Sequence, residues 1–295
     1  MKQLYKSVKF SAEKLRLLKI CDTVLKDYAK QGYIITVRTL YYQLVKENII
    51  PNTEKSYKAL TVLINDGRVA GVIDWDVLTD MGRNWLDRPH WEDGRHFLDS
   101  VVPQFHADLW GNQPHRVFVV VEKEALTGVL SRTCRDLDVP LLAAKGYPSV
   151  SVVRNWVKNT LIPVARQGQE ITLLHLGDHD PSGKDMSRDL VERVELFSEG
   201  EFDLNFKRIA LNMAQIEETN PPENPAKITD PRARAYIAEF GDSSWELDAL
   251  TPTYLNSLLT AHIQAHIDAD LWAERVDQIA DTKDRLKTHA ETFEG

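Results

Sequence analysis

The second half of the chain alternates short apolar runs with segments of helical periodicity. The first run after Pro114, residues 117–121 (VFVVV), is continuously apolar, which is typical of a strand buried on both faces of a parallel sheet. Further strands are predicted over about 140–144, 171–176 and 206–211, with helices between them over about 124–137, 150–167 and 183–197. This alternation predicts an α/β domain whose parallel sheet is covered by helices.

The amino-terminal residues predict a different, mostly helical unit. Apolar residues at helical spacing predict a helix over 11–31, a second over about 37–47 with Thr36 as its N-cap, and a third over about 54–69. The next segment, GVIDWDVLTD over 71–80, alternates apolar positions and predicts a short strand or wing. Three helices and a small β element outline a winged helix-turn-helix, a fold that often places its last helix in a DNA groove.

These patterns divide the chain into three parts. Residues 1–82 are the predicted winged-helix domain, and residues 83–115 are a predicted linker with one helix near 91–110. Residues 116–295 are the predicted parallel-sheet domain, which ends in a mostly helical extension over about 231–290.

The net charge of −8 would argue against a nucleic-acid partner, but the charge is unevenly distributed. Residues 1–70 contain 13 Lys and Arg against 6 Asp and Glu, whereas the remaining residues contain 23 against 38. A basic amino-terminal part can bind a phosphate backbone even when the whole protein is acidic. A solvated basic helix would give the same pattern, so charge alone leaves both interpretations open.

The cysteine content and the hydropathy of the chain bear on its location. Two cysteines, Cys21 and Cys134, in a chain of 295 residues indicate a reducing compartment rather than a disulfide framework. The start of the sequence lacks the apolar run of a signal peptide, and no stretch approaches about 18 uninterrupted apolar residues. We therefore expect a cytoplasmic protein with no membrane partner.

Acidic residues follow two of the predicted strands. Glu122 ends the first strand (VVVEKE), and Asp178 and Asp180 come directly after the third (LLHLGDHDPSG). In open parallel sheets, ligands gather outside the carboxyl ends of the strands. Clustered carboxylates repel one another unless a hard cation lies between them, and oxygen ligands are those that Mg²⁺ prefers. The sequence therefore predicts a Mg²⁺ site, with Mn²⁺ as a substitute, that can stabilise charge on a phosphoryl oxygen.

Each of these features has a plainer explanation when it stands alone. A Glu after a strand is usually a solvated end, and Asp-x-Asp-Pro is often a turn with a helix cap. Their occurrence together, on strands of one sheet, favours the metal site. His179, between the aspartates, is expected to be a loop residue rather than a ligand, and His175 is expected to be a core residue.

A strand that ends in Glu, followed downstream by a strand that ends in Asp-x-Asp, resembles the Toprim domain of topoisomerases, primases and some nucleases. The segments VVVEKEALTGVL, LLAAKGYPSVSVVR and LLHLGDHDPSGKDM resemble more narrowly the A subunit of topoisomerase VI and its meiotic double-strand-break relative. The Lys-Gly-Tyr/Phe-Pro element of that family matches 145–148, and its Asp-x-Asp-Pro-x-Gly loop matches 178–183. The resemblance covers about 117–211 and implies a Toprim-type fold.

The same family carries an Arg-x-x-Tyr/Phe-Tyr motif in an upstream winged helix, and the last Tyr of the motif attacks DNA. The matching residues here run from Arg38 to Tyr42 (RTLYY), which implies that Tyr42 is the nucleophile and Arg38 its phosphate-side partner. A phenol with a reference pKa of about 10 needs help to attack at neutral pH, and a guanidinium can hold a phosphate bidentately. Two alternatives stay open: Tyr41 is the nucleophile, or both tyrosines only pack in the core.

Three functions follow from these features. The first is a metal-dependent transesterase that cuts double-stranded DNA through a covalent phosphotyrosine, as the resemblance implies. The second is a hydrolytic Toprim endonuclease that uses activated water, with Tyr42 as a packed aromatic residue. The third is a non-catalytic DNA-binding protein whose acidic site only organises a loop. A primase is disfavoured because Cys21 and Cys134 belong to no zinc-ligand cluster.

The resemblance also implies partners. In the family the Tyr of one protomer works with the metal of the other, which implies a homodimer. A topoisomerase VI A subunit needs an ATPase B-type subunit for strand passage, and no segment here can be assigned to docking it. The chain is also shorter than expected at its amino end, so the resemblance points to a compact prokaryotic or phage version of the cutting subunit.

Further side chains are weaker candidates. Basic and aromatic residues near the strand ends and on the third helix are candidates for DNA contact: Lys123, Lys145, Arg154, Tyr57, Lys58 and Arg68. Each could instead be an ordinary solvated residue. Glu246 and Asp248 (WELDAL) are expected to cap a helix, and a second carboxylate pair is the alternative.

Overall fold

The computed structural model describes residues 2–79 and 89–293. Its amino-terminal part contains three helices where the sequence predicts them, and each begins at a hydroxyl side chain that accepts a backbone amide: Ser11, Thr36 and Thr53. The helices are α1 (Ala12–Lys30), α2 (Val37–Lys46) and α3 (Glu54–Val69). They pack around a common core that includes Leu18 and Leu40.

The wing predicted after α3 is not confirmed. Residues 71–79 form turns and bends with one isolated bridge, from Leu78 to Ile35, and no strand. Gly71 turns the chain directly after α3 with a φ of +68°, a conformation that favours glycine. Arg68 then donates to the carbonyl oxygens of Trp75 at 3.0 Å and Leu78 at 3.2 Å, so these carbonyls bond a side chain instead of a second strand. Residues 80–88, where the predicted wing meets the predicted linker, lie outside the described ranges.

The helix predicted near 91–110 is shorter in the structure. Helix α4 (Gly94–Val101) is followed by a single 3₁₀ turn, Val102–Gln104, because Pro103 has no amide hydrogen to continue a helix. The chain then enters the core of the α/β domain at Leu109 and Trp110, and the Trp110 indole donates to the Leu137 carbonyl at 2.8 Å. The end of the predicted linker is therefore part of the packed domain.

Four parallel strands form the central sheet, as predicted. Their order is β2-β1-β3-β4, and every neighbouring pair is parallel. The strands are β1 (His115–Val121), β2 (Leu141–Ala143), β3 (Glu170–Leu176) and β4 (Leu204–Ala210). Because β1 and β3 are neighbours that run in the same direction, their carboxyl ends meet at one edge of the sheet.

Side chains of β1 enter two cores on opposite faces of the sheet. Val117, Val119 and Val121 pack in one core, and Phe118 and Val120 pack in the other. This explains the continuous apolar run, since neither face of the strand meets water. The helices that follow the strands are α5 (Thr127–Asp136), α6 (Val150–Trp156), α7 (Ile162–Ala165) and α8 (Pro181–Ser198), and a π-helical segment, Val157–Leu161, joins α6 to α7.

The carboxyl-terminal part is mostly helical, as predicted. Its helices are α9 (Met213–Thr219), α10 (Ala233–Phe240), α11 (Pro252–Gln264) and α12 (Ala269–Glu291). It also contains a two-stranded antiparallel ribbon that the sequence did not predict, formed by β5 (Glu223–Pro225) and β6 (Ser243–Trp245). Among the described helices, none has the length and apolar character needed to cross a bilayer.

A core substitution in the central strand tests this packing. Leu174 of β3 is fully buried, so Leu174→Ala should lower the free energy of unfolding by about 2–5 kcal/mol through lost burial and a new cavity. Leu196 of α8 is 66% exposed, and Leu196→Ala should change that free energy by no more than about 0.5 kcal/mol. Urea unfolding of both variants measures the difference, and equal costs would contradict the placement of these two residues.

Candidate functional site

The predicted acidic residues lie together at the carboxyl ends of β1 and β3. The Glu122 amide donates to the Leu176 carbonyl at 2.9 Å, which extends the pairing of the two strands by one residue. The Glu122 carboxylate in turn accepts the Asp178 amide at 2.9 Å. Both acidic side chains are buried, with residue exposures of 9% and 6%. Asp180 is the N-cap of α8 and accepts the Gly183 amide at 2.6 Å.

Two glycines allow the acidic loop to lie this close to Glu122. A Cβ on Gly183 would lie 2.3 Å from the Asp178 carbonyl oxygen and 3.1 Å from a Glu122 carboxylate oxygen. A Cβ on Gly177 would lie 3.0 Å from the same Glu122 oxygen. Any side chain at Gly183 would therefore push the loop away from Glu122.

Arg208, near the end of β4, fixes the backbone of the loop, a role that was not predicted from the sequence. Its guanidinium donates to the carbonyl oxygens of Gly177 at 2.9 Å, Asp178 at 2.5 Å and Gly183 at 3.0 Å. It is half-buried, and its charge opposes the rise in pKa that burial gives Glu122. A basic residue three positions from the end of a predicted strand is the sequence signal that could have pointed to it.

Lys123 lies among carboxylates rather than at an open surface. Its ammonium group is 2.9 Å from Asp178 Oδ1 and 3.0 Å from Asp248 Oδ1, and it also contacts Glu246. The Lys123 side chain is 14% exposed, and that of Asp248 is fully buried. The expectation that Lys123 binds phosphate is therefore unsupported in this conformation, because its charge is already paired.

Glu246 and Asp248, expected to cap a helix, are instead a second carboxylate pair at the site. Both also bind Arg38 of α2: the Arg38 guanidinium lies 2.5 Å from Glu246 Oε2 and 2.8 Å from Asp248 Oδ2. The intervening Leu247 amide donates to Asp178 Oδ1 at 2.7 Å. The segment after β6 thus connects the amino-terminal helices to the acidic loop.

Tyr42 follows Arg38 by one helical turn, and both residues line one cavity. This cavity has a volume of about 440 Å³, and its walls include Arg38, Tyr42, Asp180 and Glu246. The Arg38 guanidinium carbon is 6.0 Å from the centre of the Tyr42 ring. Tyr42 is 6% exposed, so the structure brings together the predicted nucleophile, its predicted partner and one predicted metal ligand.

The acidic groups have shifted pKa values because they are buried beside one another. Burial, with contributions from Glu122, Glu246 and Asp248, raises the pKa of Asp178 to about 7 against the opposing effect of Lys123. Burial also raises the pKa of Glu122, with a contribution from Asp180. Burial favours the neutral form of Glu246, but the positive charges of Lys123 and Arg38 have the larger effect. The pKa of Glu246 is therefore lowered.

Burial likewise raises the pKa of the Tyr42 phenol well above its ordinary value. The charges of Glu246 and Asp248 raise it further, whereas Arg38 and Lys123 act in the opposite direction. Ionisation of this phenol therefore requires a base or additional positive charge near its oxygen.

The donor chemistry at the acidic loop fits a hard divalent cation. Within the described residues, one oxygen of each group has no protein partner: Glu122 Oε1, Asp178 Oδ2 and Asp180 Oδ2. Burial, with a smaller contribution from neighbouring carboxylates, raises the pKa values of Glu122 and Asp178, and a bound cation would lower them. In the described part of the chain, however, no three His, Cys, Asp or Glu side chains converge as ligands of one ion, so binding requires side-chain rotation.

Three predicted DNA contacts lie at the surface, and two of them have local partners. Lys145 pairs with Glu124 at 2.7 Å, and Lys58 pairs with Glu54 at 2.7 Å on α3. Arg154 is exposed on α6. These side chains stay accessible to a phosphate backbone, because exposed ion pairs of this kind are weak.

The other two predicted contacts differ. Tyr57 is half-buried, with its ring 5.3 Å from that of Tyr41, and it lines the cavity described above. Arg68 is 7% exposed and donates to the loop carbonyls after α3. The expectation that Arg68 contacts DNA has no support in this conformation, since the residue is buried and its guanidinium donates to protein carbonyls.

The two histidines near the loop are core residues. His175 of β3 is 2% exposed, and its Nδ1 lies 3.0 Å from the Ser187 hydroxyl of α8. His179 is fully buried among aromatic rings, and its Nδ1 lies 2.8 Å from the Tyr236 hydroxyl. Its backbone pairs with Trp245, which attaches the acidic loop to β6.

No family model, curated protein or solved structure matches this chain. The structure itself shows an α/β protein with a four-stranded parallel sheet, preceded by the amino-terminal helices.

The buried His175 predicts a loss of stability in acid. Burial lowers its pKa from 6.5 to about 3, so below pH 6.5 the unfolded chain binds a proton that the folded chain excludes. The stability that the neutral imidazole provides is complete above pH 6.5 and is lost as the pH falls toward 3. The His175→Gln variant should lose less stability over this range, by up to about 1.4 kcal/mol per pH unit.

Urea unfolding between pH 7 and 4 measures the effect. The exposed His289→Gln substitution on α12 is the matched control and should keep the pH dependence of the wild type. An unchanged dependence in His175→Gln would contradict the burial argument.

Proposed function

We infer that the protein cleaves DNA, with Tyr42 as the nucleophile and a Toprim-type acidic site at Glu122, Asp178 and Asp180. One observation carries this proposal: Tyr42 and Arg38 of α2 line a single cavity with Asp180. The motif resemblance reached the tyrosine and the carboxylates separately, through segments far apart in sequence. That Tyr42 and Asp180 line one cavity supports a transesterase with a metal-assisted site.

The chemistry begins with the phenol. The Tyr42 oxygen attacks phosphorus, the bond from phosphorus to the departing sugar oxygen breaks, and the protein stays joined to DNA through a phosphotyrosine. The phenolic proton has to pass to a base, and Glu246 is an ionised carboxylate that lines the same cavity. The departing sugar oxygen takes up a proton as it leaves.

Arg38 is the residue suited to holding the phosphate. Its guanidinium can bind two phosphate oxygens, and it lies beside the Tyr42 ring. In the structure it is bound to Glu246 and Asp248, so a phosphate has to compete with these carboxylates. Bound Mg²⁺, held by Glu122, Asp178 and Asp180, would supply positive charge for the phosphoryl and departing oxygens.

A hydrolytic nuclease is the second candidate, and the burial of Tyr42 favours it. A phenol that is 6% exposed, with a raised pKa, is a poor nucleophile unless the site opens or a base assists it. In this alternative, water attacks the phosphate near the acidic loop, and Tyr42 only forms part of the cavity wall.

Cleavage of supercoiled plasmid in Mg²⁺ or Mn²⁺ distinguishes these functions. Reactions are stopped with denaturant and run on gels with and without protease digestion. We expect wild type to produce protein-linked ends, and both Tyr42→Phe and Asp178→Ala to reduce them by at least about a hundredfold, since each removes a group that acts in the transition state.

Tyr254→Phe is the matched control, because this tyrosine lies on α11 and its hydroxyl bonds to Glu218, outside the cavity. It should cleave as the wild type does. Free ends that persist in Tyr42→Phe but disappear in Asp178→Ala would support the hydrolytic nuclease instead. DNA binding without any cleavage by the wild type would count against both enzymes.

A further inference from the structure

The cavity that Tyr42 lines is bounded by the amino-terminal helices on one side and by the β5-β6 ribbon on the other. Its helical wall includes Tyr57 of α3, and its ribbon wall includes Asn224 and Trp245. Trp245 is 9% exposed, whereas Asn52, just before α3, is exposed to solvent. The inner end of the cavity therefore lies at Tyr42 and Trp245, and its mouth lies at Asn52.

Aromatic rings form part of both walls. On the helical side, the Tyr41 ring lies 5.3 Å from the Tyr57 ring and 5.2 Å from the Tyr42 ring, with interplanar angles of 73° and 69°. In this edge-to-face packing each ring restrains its neighbour, so the Tyr57 ring is held in place before any ligand enters. A planar ligand can stack on such a wall, as nucleobases do on aromatic side chains.

The amides of Asn52 and Asn224 are arranged so that one of them keeps its donors free. Asn52 Nδ2 donates to the Glu223 carbonyl at 3.2 Å, and since a carbonyl only accepts, this contact fixes the orientation of the Asn52 amide. The same Nδ2 donates to Asn224 Oδ1 at 2.8 Å, so the Asn224 oxygen is already bound. Within residues 2–79 and 89–293, Asn224 Nδ2 has no acceptor. Asn224 therefore suits a ligand that presents a carbonyl oxygen or a ring nitrogen.

The charges around the cavity favour a neutral occupant. Its carboxylates are Glu54, Asp180 and Glu246, against the two cations Arg38 and Lys227. Beyond the phosphate that Arg38 would hold, a second anion would meet this excess of negative charge. A nucleobase is uncharged at neutral pH and presents acceptors at its edge. Lys227 is exposed, and its position at the cavity is suited to a neighbouring phosphate outside.

We propose that the cavity receives a single nucleobase of the DNA, turned out of the stack, which packs on Tyr57 and Trp245 and accepts a hydrogen bond from the Asn224 amide. The volume of about 440 Å³ is within the range of about 300–1,000 Å³ that small-molecule sites occupy. Because Tyr42 lines the same cavity, the base belongs to a nucleotide close to the attacked phosphate. This role rests on the proposed function, which supplies DNA as the substrate, and it is the same whichever chain provides the metal.

The affinity for two labelled duplexes tests this role without any need for cleavage. One duplex carries a single bulged thymine, because turning out a base costs least when it has no pairing partner. The other carries a bulged abasic nucleotide at the same position, and fluorescence anisotropy is measured without Mg²⁺ or Mn²⁺ at one salt concentration. We expect the wild type to bind the thymine bulge at least about tenfold more tightly, as stacking of one base on an aromatic side chain allows.

Two substitutions locate this preference in the cavity. Tyr57→Leu removes the aromatic face but keeps an apolar side chain, and Asn224→Asp keeps the shape but replaces both donors with an oxygen. Each should reduce the ratio of the two affinities to about threefold or less. The charge that Asn224→Asp adds lowers both affinities, so the ratio removes this effect. Tyr5→Leu and Asn159→Asp, at exposed positions outside the cavity, are the matched controls and should keep the wild-type ratio.

Binding of the abasic duplex also reports that each variant is folded. Equal affinities of the wild type for the two duplexes would overturn the proposal without contradicting the proposed function. A preference that both Tyr57→Leu and Asn224→Asp retain would overturn it as well, because the base would then bind elsewhere. A preference that both variants lose, in a protein that cleaves no DNA, would support the cavity and count against the proposed function. Failure to bind either duplex would contradict both.

A photochemical crosslink shows where the base lies. The bulged thymine is replaced by 5-iodouracil, which on irradiation attaches to aromatic rings that it contacts, and the attached peptide is identified by mass spectrometry. We expect attachment at Tyr57 or Trp245, since these rings lie on the two walls of the cavity. Attachment only at residues outside the cavity would refute the proposal.

Discussion

The contact on which the site depends is that of the Lys123 ammonium with three carboxylates. It lies 2.9 Å from Asp178 and 3.0 Å from Asp248, and it also contacts Glu246. One cation does not balance three carboxylates, two of which are buried, and Arg38 of the amino-terminal helices supplies a second positive charge. Burial, with contributions from Glu122, Glu246 and Asp248, still raises the pKa of Asp178 to about 7. Charge balance therefore joins the two halves of the molecule where the cavity lies.

The parallel sheet is what makes this arrangement possible. Because β1 and β3 are adjacent and run in the same direction, Glu122 and the loop that contains Asp178 reach the same edge without any long connection. Arg208 then holds the loop backbone from the neighbouring strand, and Gly183 allows the loop to approach Glu122. The order of the strands therefore brings the acidic residues together. Hydrogen bonds from Arg208 to backbone carbonyls then fix the position of the loop.

Most of the fold could be predicted from local patterns in the sequence. The helical spacing and caps gave α1 to α3 within one residue at each end, and the apolar runs gave the strands of the parallel sheet. The wing was predicted from alternation over 71–80 alone, and alternation cannot reveal that Arg68 would bond the carbonyls of that segment. The β5-β6 ribbon was missed because its strands are only three residues long.

The sequence by itself determined the α/β class, the position of Glu122 and Asp178 after strands of one parallel sheet, and the position of Tyr42 one turn after Arg38 on a helix, because these follow from apolar runs and helical spacing. Only the tertiary structure decided that Lys123 is paired rather than free, and that Glu246 and Asp248 belong to the site. Their partners lie far away in the chain, and no local pattern encodes them. Long-range pairing of buried charges depends on how the cores pack, and that is determined only when the whole chain folds.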